Sequence, residues 1–118
     1  MKLLAKAEYD EARGAFRAFA DNYPQDELAP QAVYWIGDIA LVQKDYPSAA
    51  HAFAEQIKKY PDSARAPDSM LKLGQSLIAM GQKQEGCTAL GALPTKYPNA
   101  SKTVIAHAAQ DRKTSACR

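Results

Sequence analysis

Apolar residues recur along this chain at spacings of three and four, separated by short polar breaks, and the pattern predicts about six helices. In the first stretch Tyr9, Ala12, Phe16, Phe19 and Tyr23 fall on one stripe. "QAVYWIGDIALVQ" and "DSMLKLGQSLIAM" place Val33, Ile36, Ala40 and Met70, Leu73, Leu77 in the same rhythm. Each of these two follows a proline, Pro30 or Pro67, where the missing N–H costs nothing and the fixed φ suits a first helical turn. "KDY" and "GQK" then break the chain, and "PSAAHAFAEQIKKY" and "QEGCTALGALPTKY" form the second helices. Both stop before the proline of a Tyr-Pro pair, since the residue preceding proline is pushed out of the α region. "SKTVIAHAAQDRK" is the last predicted helix, polar on one side and suited to capping a stack.

The pattern repeats. Tyr23, Tyr60 and Tyr97 each precede proline, and both intervals are 37 residues. A shift of 37 also lays Gly37 on Gly74, Pro30 on Pro67 and Tyr9 on Tyr46. Ala12, Ala49 and Gly86 align, as do Ala15, Ala52 and Ala89, and Phe16, Phe53 and Leu90. A fixed interval of this size marks stacked structural units, each one supersecondary element. Glycine inside a helix costs about 1 kcal/mol relative to alanine, so Gly37 and Gly74 predict close helix approach, facing Ala49 and Gly86 with Phe53 and Leu90 beside them. The tyrosines before proline are predicted to pack beneath the next hairpin with their hydroxyls in water.

These motifs resemble the tetratricopeptide repeat. Its signature W-x2-L-G-x2-Y, A-x3-F, P reads here as Val33-x2-Ile36-Gly37-x2-Ala40, Ala49-x3-Phe53, Pro61. It reads again as Met70-x2-Leu73-Gly74-x2-Leu77, Gly86-x3-Leu90, Pro98. The aromatic positions of the first helix are replaced, Trp35 stands two residues from the usual tryptophan, and the extra length lies after Tyr-Pro. The resemblance implies an all-α superhelix of antiparallel hairpins forming a single domain. Residues 1–24 would be the second helix of a truncated repeat, 25–61 and 62–98 two full repeats, and 99–118 a capping helix and tail. "MKLL" would be all that remains of the preceding first helix, so the chain reads as a fragment, or as one whose bare aromatic stripe is covered by something else. Self-association through that stripe is the expectation.

In such a superhelix the first helices line a concave face. Helical phase puts Gln31, Tyr34, Trp35, Asp38 and Leu41 there, then Asp68, Leu71, Lys72, Gln75 and Ile78, with Arg112 contributing from the last helix. Tyr34 and Trp35 are the candidate anchors of a protein or peptide ligand, because aromatic residues dominate binding hot spots. Core packing is the competing role for Trp35. A Lys/Asn clamp for a terminal carboxylate, known in one subclass of these repeats, is absent, with Tyr34 and Asp38 in the groove; an acidic-tail ligand is not expected.

Composition narrows the function. The net charge is +2 with lysine and arginine scattered among acids, which gives no footprint for nucleic acid. No apolar run approaches a membrane span, and "MKLLAKAEYD" is too short in its apolar part to act as an export signal. His51, Cys87, His107 and Cys117 lack the short paired spacing of a zinc site, and no glycine-rich phosphate loop occurs. Surface histidines are the plain reading; no cofactor, metal or catalytic set is implied. "NAS" at Asn99 matches a glycosylation sequon by chance. Cys87 opens the last second helix, and Cys117 lies past the helix that packs antiparallel to it. Cys117 overshoots Cys87 by several residues, so two readings stand: a disulfide, with the tail folded back, or two free thiols.

A narrower resemblance rests on "LAPQAVYWIGDIAL", "YPDSARAPDSMLKLGQSL", "GCTALGALPTKYPNAS" and the three Tyr-Pro turns. These are similar to the C-terminal repeat domain of the family of Tol–Pal-associated periplasmic cell division coordinators. The likeness implies a non-catalytic periplasmic scaffold that binds TolA and coordinates peptidoglycan synthesis with outer-membrane constriction, in contact with a peptidoglycan synthase. It also favours the Cys87–Cys117 bridge. A subunit of an outer-membrane assembly lipoprotein complex and a cytosolic adaptor are the alternatives.

Overall fold

The structure, a computed structural model, describes residues 6–117; the expectation for "MKLL" falls outside them. The described residues form six helices and no strand: α1 Lys6–Asn22, α2 Ala29–Val42, α3 Tyr46–Lys59, α4 Ala66–Ala79, α5 Lys83–Lys96 and α6 Lys102–Thr114. Each helix packs on its successor, and α6 also returns to α4. The fold is therefore an all-α stack of helical hairpins in chain order.

The Tyr-Pro pairs build the turns between hairpins. In all three, the tyrosine carbonyl accepts from the N–H three residues on: Asp26 to Tyr23 at 3.0 Å, Ser63 to Tyr60 at 3.1 Å and Ala100 to Tyr97 at 3.0 Å. Proline occupies the second place of each turn, where its fixed φ is already correct. The tyrosine N–H still closes the preceding helix, onto Phe19, Gln56 and Leu93. One dipeptide thus ends a helix and reverses the chain. Tyr60 further donates its hydroxyl to the Pro24 carbonyl at 2.9 Å, tying one turn to the previous one.

Within each hairpin a left-handed residue makes the reversal. Lys44 (φ 60°) and Gly81 (φ 86°) are 37 residues apart and follow α2 and α4. Asp45 N–H returns to Ala40 O and Gln82 N–H to Leu77 O, both at 2.8 Å, which closes the two helices with matching caps. Asp45 also starts α3, accepting from Ser48 N–H. The same device ends α6: Ala116 has φ 56°, and Cys117 N–H returns to Arg112 O at 2.8 Å.

Small residues let the hairpins close. A Cβ on Gly37 would lie 2.7 Å from the Phe53 ring. One on Gly74 would lie 2.6 Å from Leu90, and one on Gly86 would lie 2.8 Å from the Gly74 carbonyl oxygen. Gly74 and Gly86 therefore meet as the sequence implies, whereas Gly37 is crossed by Phe53 itself. Phe53 and Leu90 are wholly buried, with Leu93, Leu71, Met70 and Ala108 extending the core toward α6.

Three expectations are corrected here. The aromatic stripe of α1 is not bare: Phe16 and Phe19 are half-buried against Ala20, Ala32 and Val33, with only Tyr23 left 59% exposed. Leu71, expected on the concave face, is core. Ile78 likewise turns inward to Gly86. In both cases an apolar side chain follows buried area rather than nominal helical phase.

Candidate protein-binding groove

The first helices α2, α4 and α6 are joined by polar contacts between neighbouring repeats. Tyr34 Oη donates to Asp68 Oδ2 at 3.2 Å, Lys72 Nζ to Asp38 Oδ1 at 2.7 Å, and Gln75 Nε2 to Asp111 Oδ2 at 2.7 Å. Asp38, Lys72 and Gln75 thus share one surface, as their helical phase implies, and each spends a polar atom on the adjoining helix.

Tyr34 is the centre of this surface but not an exposed anchor. It is 3% exposed, and its ring meets Phe53 edge-on at 5.7 Å. Its hydroxyl bonds to Asp68, and its ring lies under the cations of Arg65 and Lys72. Burial raises its pKa above the ordinary tyrosine value, although Lys72 pulls the other way. Burial alone would lower the pKa of the Lys72 ammonium; Asp38 and Tyr34 outweigh it and leave the group above the ordinary lysine value.

Trp35 follows Tyr34 directly on α2. Its ring packs edge-to-face on Tyr34 at 5.3 Å, and 36% of the residue faces solvent. Arg65, in the turn before α4, lays its guanidinium over both rings, 4.7 Å from Tyr34 and 5.1 Å from Trp35. Arg65 is a groove residue that the first-helix register passes over, because it lies at the N-cap of α4 and its side chain reaches back to the preceding repeat. Gln31, exposed one turn earlier on α2, lines a cleft of about 890 Å³ with Arg65, Asp68, Tyr97 and Asn99, so Arg65 joins that cleft to the two rings.

Arg112 does not join these residues. Its guanidinium lies against Gly91 on α5, in a separate cleft of about 570 Å³ with Cys87 and Cys117. Asp111 takes the groove position instead, facing Gln75. Cys87 and Cys117 are joined as a disulfide with Cα atoms 5.6 Å apart. The left-handed Ala116 is what folds the tail back to make that span.

Among the described residues no cluster of three or more His, Cys, Asp or Glu is placed to hold a metal ion, and no helix is long and apolar enough to cross a membrane.

Residues 2–64 match the tetratricopeptide repeat family, and residues 68–100 match a second tetratricopeptide repeat pattern. Over 43 residues the chain is 37% identical to the cell division coordinator CpoB of Pseudomonas putida strain KT2440. That stretch makes up 36% of this chain and 16% of the relative's length. A second Pseudomonas putida sequence of the same description matches with the same identity and coverage.

Proposed function

This chain belongs to the tetratricopeptide repeat family, and from that premise we propose that it is a non-catalytic scaffold whose α2–α4–α6 face holds another polypeptide. The observation that carries the reading is Trp35: a large aromatic ring, part exposed, held in place by Tyr34 and Arg65 beside an open cleft. A rigid aromatic set beside polar groups is the usual make-up of a binding hot spot.

The finer reading follows the resemblance to the cell division coordinators. The chain acts in the periplasm, binds TolA, and takes part in coordinating peptidoglycan synthesis with outer-membrane constriction, with a peptidoglycan synthase as a second contact. The Cys87–Cys117 disulfide supports an oxidising compartment over a cytosolic one. Self-association through α1 would use Tyr23, the exposed end of its stripe, since Phe16 and Phe19 already pack on α2.

The test is a titration of the purified chain with the periplasmic part of TolA, read by the emission of Trp35, the single tryptophan. Trp35→Ala, assayed by calorimetry, is expected to weaken binding by roughly 30-fold or more, the scale of a hot-spot truncation, with the helical circular dichroism unchanged. Equal binding by wild type and variant would remove Trp35 from the site. No binding by either would remove TolA as the partner.

A further inference from the structure

We propose that this groove selects an extended peptide segment carrying an acidic side chain next to an apolar one, the carboxylate pairing with Arg65 and the apolar group resting on Trp35. The inference rests on the protein-binding reading above and adds the chemistry of the bound segment.

Charge placement makes the choice. Asp38 is neutralised by Lys72 at 2.7 Å, whereas Asp68 keeps its charge with one oxygen taken by the Tyr34 hydroxyl at 3.2 Å. Arg65 is not neutralised in this way. Its guanidinium lies over the Tyr34 and Trp35 rings, and among the described residues no carboxylate pairs with it, Asp68 included. A guanidinium held over two rings that meet at 78° is placed before a ligand arrives, and its N–H groups remain for a planar, two-oxygen acceptor. Trp35, 36% exposed and with its ring centre 5.1 Å from the Arg65 guanidinium carbon, supplies apolar area beside the cation.

Asp62 and Lys96 also border the cleft, offsetting one another in charge. Of the remaining polar lining, Ser63 and Ser101 already accept from Gln56 and from the Val104 N–H, while Gln31 and Asn99 bring side-chain amides to the cleft. This differs from a clamp on a chain terminus: the cation comes from a turn, and it takes a side chain within a segment.

The test is selection of short random peptides displayed on phage against the intact oxidised chain. Peptides enriched on wild type are expected to carry Asp or Glu adjacent to Leu, Phe, Tyr or Trp. For a selected peptide, changing Glu to Gln should weaken binding about 10-fold or more, the scale of a charge-assisted pair, by Trp35 emission. Against Arg65→Gln the two peptides should bind alike, and Arg65→Lys should keep part of the preference, which guards against a folding defect in the first variant. Enrichment without acids, a preference for Lys or Arg, or an acidic preference that survives in Arg65→Gln would overturn the inference while leaving the groove a protein-binding site. Failure to enrich any peptide would count against both.

Discussion

Lys72 on α4 holds Asp38 on α2 at 2.7 Å, across the floor of the groove, while its ammonium also lies 5.0 Å from the Tyr34 ring centre. Both side chains are about three-quarters removed from solvent, at 25% and 29% exposure, so the pair is better shielded than a typical surface bridge. It links successive repeats where the backbone does not. Removing it with Asp38→Asn is expected to lower stability by about 0.5–1 kcal/mol, and a double-mutant cycle with Lys72→Met should show coupling of similar size. The Lys72 pKa is raised in the fold, so this contribution is present below the unfolded lysine value and fades as pH rises through the folded one. Urea unfolding at neutral and strongly alkaline pH measures both effects.

The Cys87–Cys117 bridge closes a segment with a sequence separation of 30 residues and fastens the end of α6 to the start of α5. A loop of that length constrains the unfolded chain by about 3–4 kcal/mol. Reduction, or replacement of both cysteines by serine, is expected to lower Tm by roughly 10–20 °C. Loss should begin at α6, whose single buried residue, Ala108, anchors it less firmly than the several buried residues of each central helix. Amide exchange that rises first in residues 102–114 on reduction would bear this out; uniform exchange would count against it.

Lys44 occupies left-handed backbone where the position 37 residues on, in the second hairpin, has Gly81, and Ala116 takes the same conformation after α6. A side chain there costs about 1–2 kcal/mol, partly offset because glycine loosens the unfolded chain. Lys44→Gly is expected to stabilise the protein by about 0.5–1 kcal/mol in chemical denaturation. Ala116→Gly should do the same only in the oxidised protein, where the bridge enforces the turn.

What was legible in the chain, and what was not, divides along a physical line. Tyr23, Tyr60 and Tyr97 revealed the hairpins because proline at the second turn position is a local constraint, and local constraints leave local marks. Gly74 and Gly86 revealed a close crossing for the same reason. Arg65 stayed hidden because its role depends on a reach from one repeat to the rings of another, and no spacing encodes the path of a long side chain. The roll of α6 was hidden too. Tyr34 and Asp38 each meet a residue 34 positions on, but Gln75 meets Asp111, 36 positions on. Among the described residues no helix follows α6, so its orientation is set by Ala108 and the disulfide rather than by repeat phase, and Arg112 is carried away from the groove to Gly91.

The helical glycines divide into opposite cases. A Cβ at Gly14 on α1 meets nothing within 4 Å, so Gly14→Ala gains helix propensity and is expected to stabilise by about 0.5–1 kcal/mol. A Cβ at Gly86 would press on the Gly74 carbonyl at 2.8 Å and on Ile78 at 2.6 Å. Backbone cannot swing aside as a flexible chain end does, so Gly86→Ala should destabilise by about 1–3 kcal/mol. Thermal unfolding of the two variants side by side tests this, and a gain in both would mean that α4 and α5 have room to part.

Arg17 on α1 grips Glu55 on α3 with two hydrogen bonds of 2.9 and 3.0 Å, and Lys59 adds a third contact at 3.2 Å. The Glu55 side chain is only 13% exposed. Burial pushes its pKa up, but the contacts with Arg17 and Lys59 outweigh this and hold it below the ordinary glutamate value. A carboxylate with a depressed folded-state pKa contributes stability that is complete above its unfolded value, about 4.3, and is lost as pH falls through the folded value. Glu55→Gln is therefore expected to cost about 1 kcal/mol at neutral pH, a figure reduced for the part-exposed Arg17, and to cost little once the wild-type carboxylate is protonated. Stability measured from neutral pH down into the acid range should fall more steeply for the wild type than for the variant, with the two curves converging at the acid end. Parallel curves would mean that the Arg17–Glu55 contact contributes nothing to tying α1 to α3.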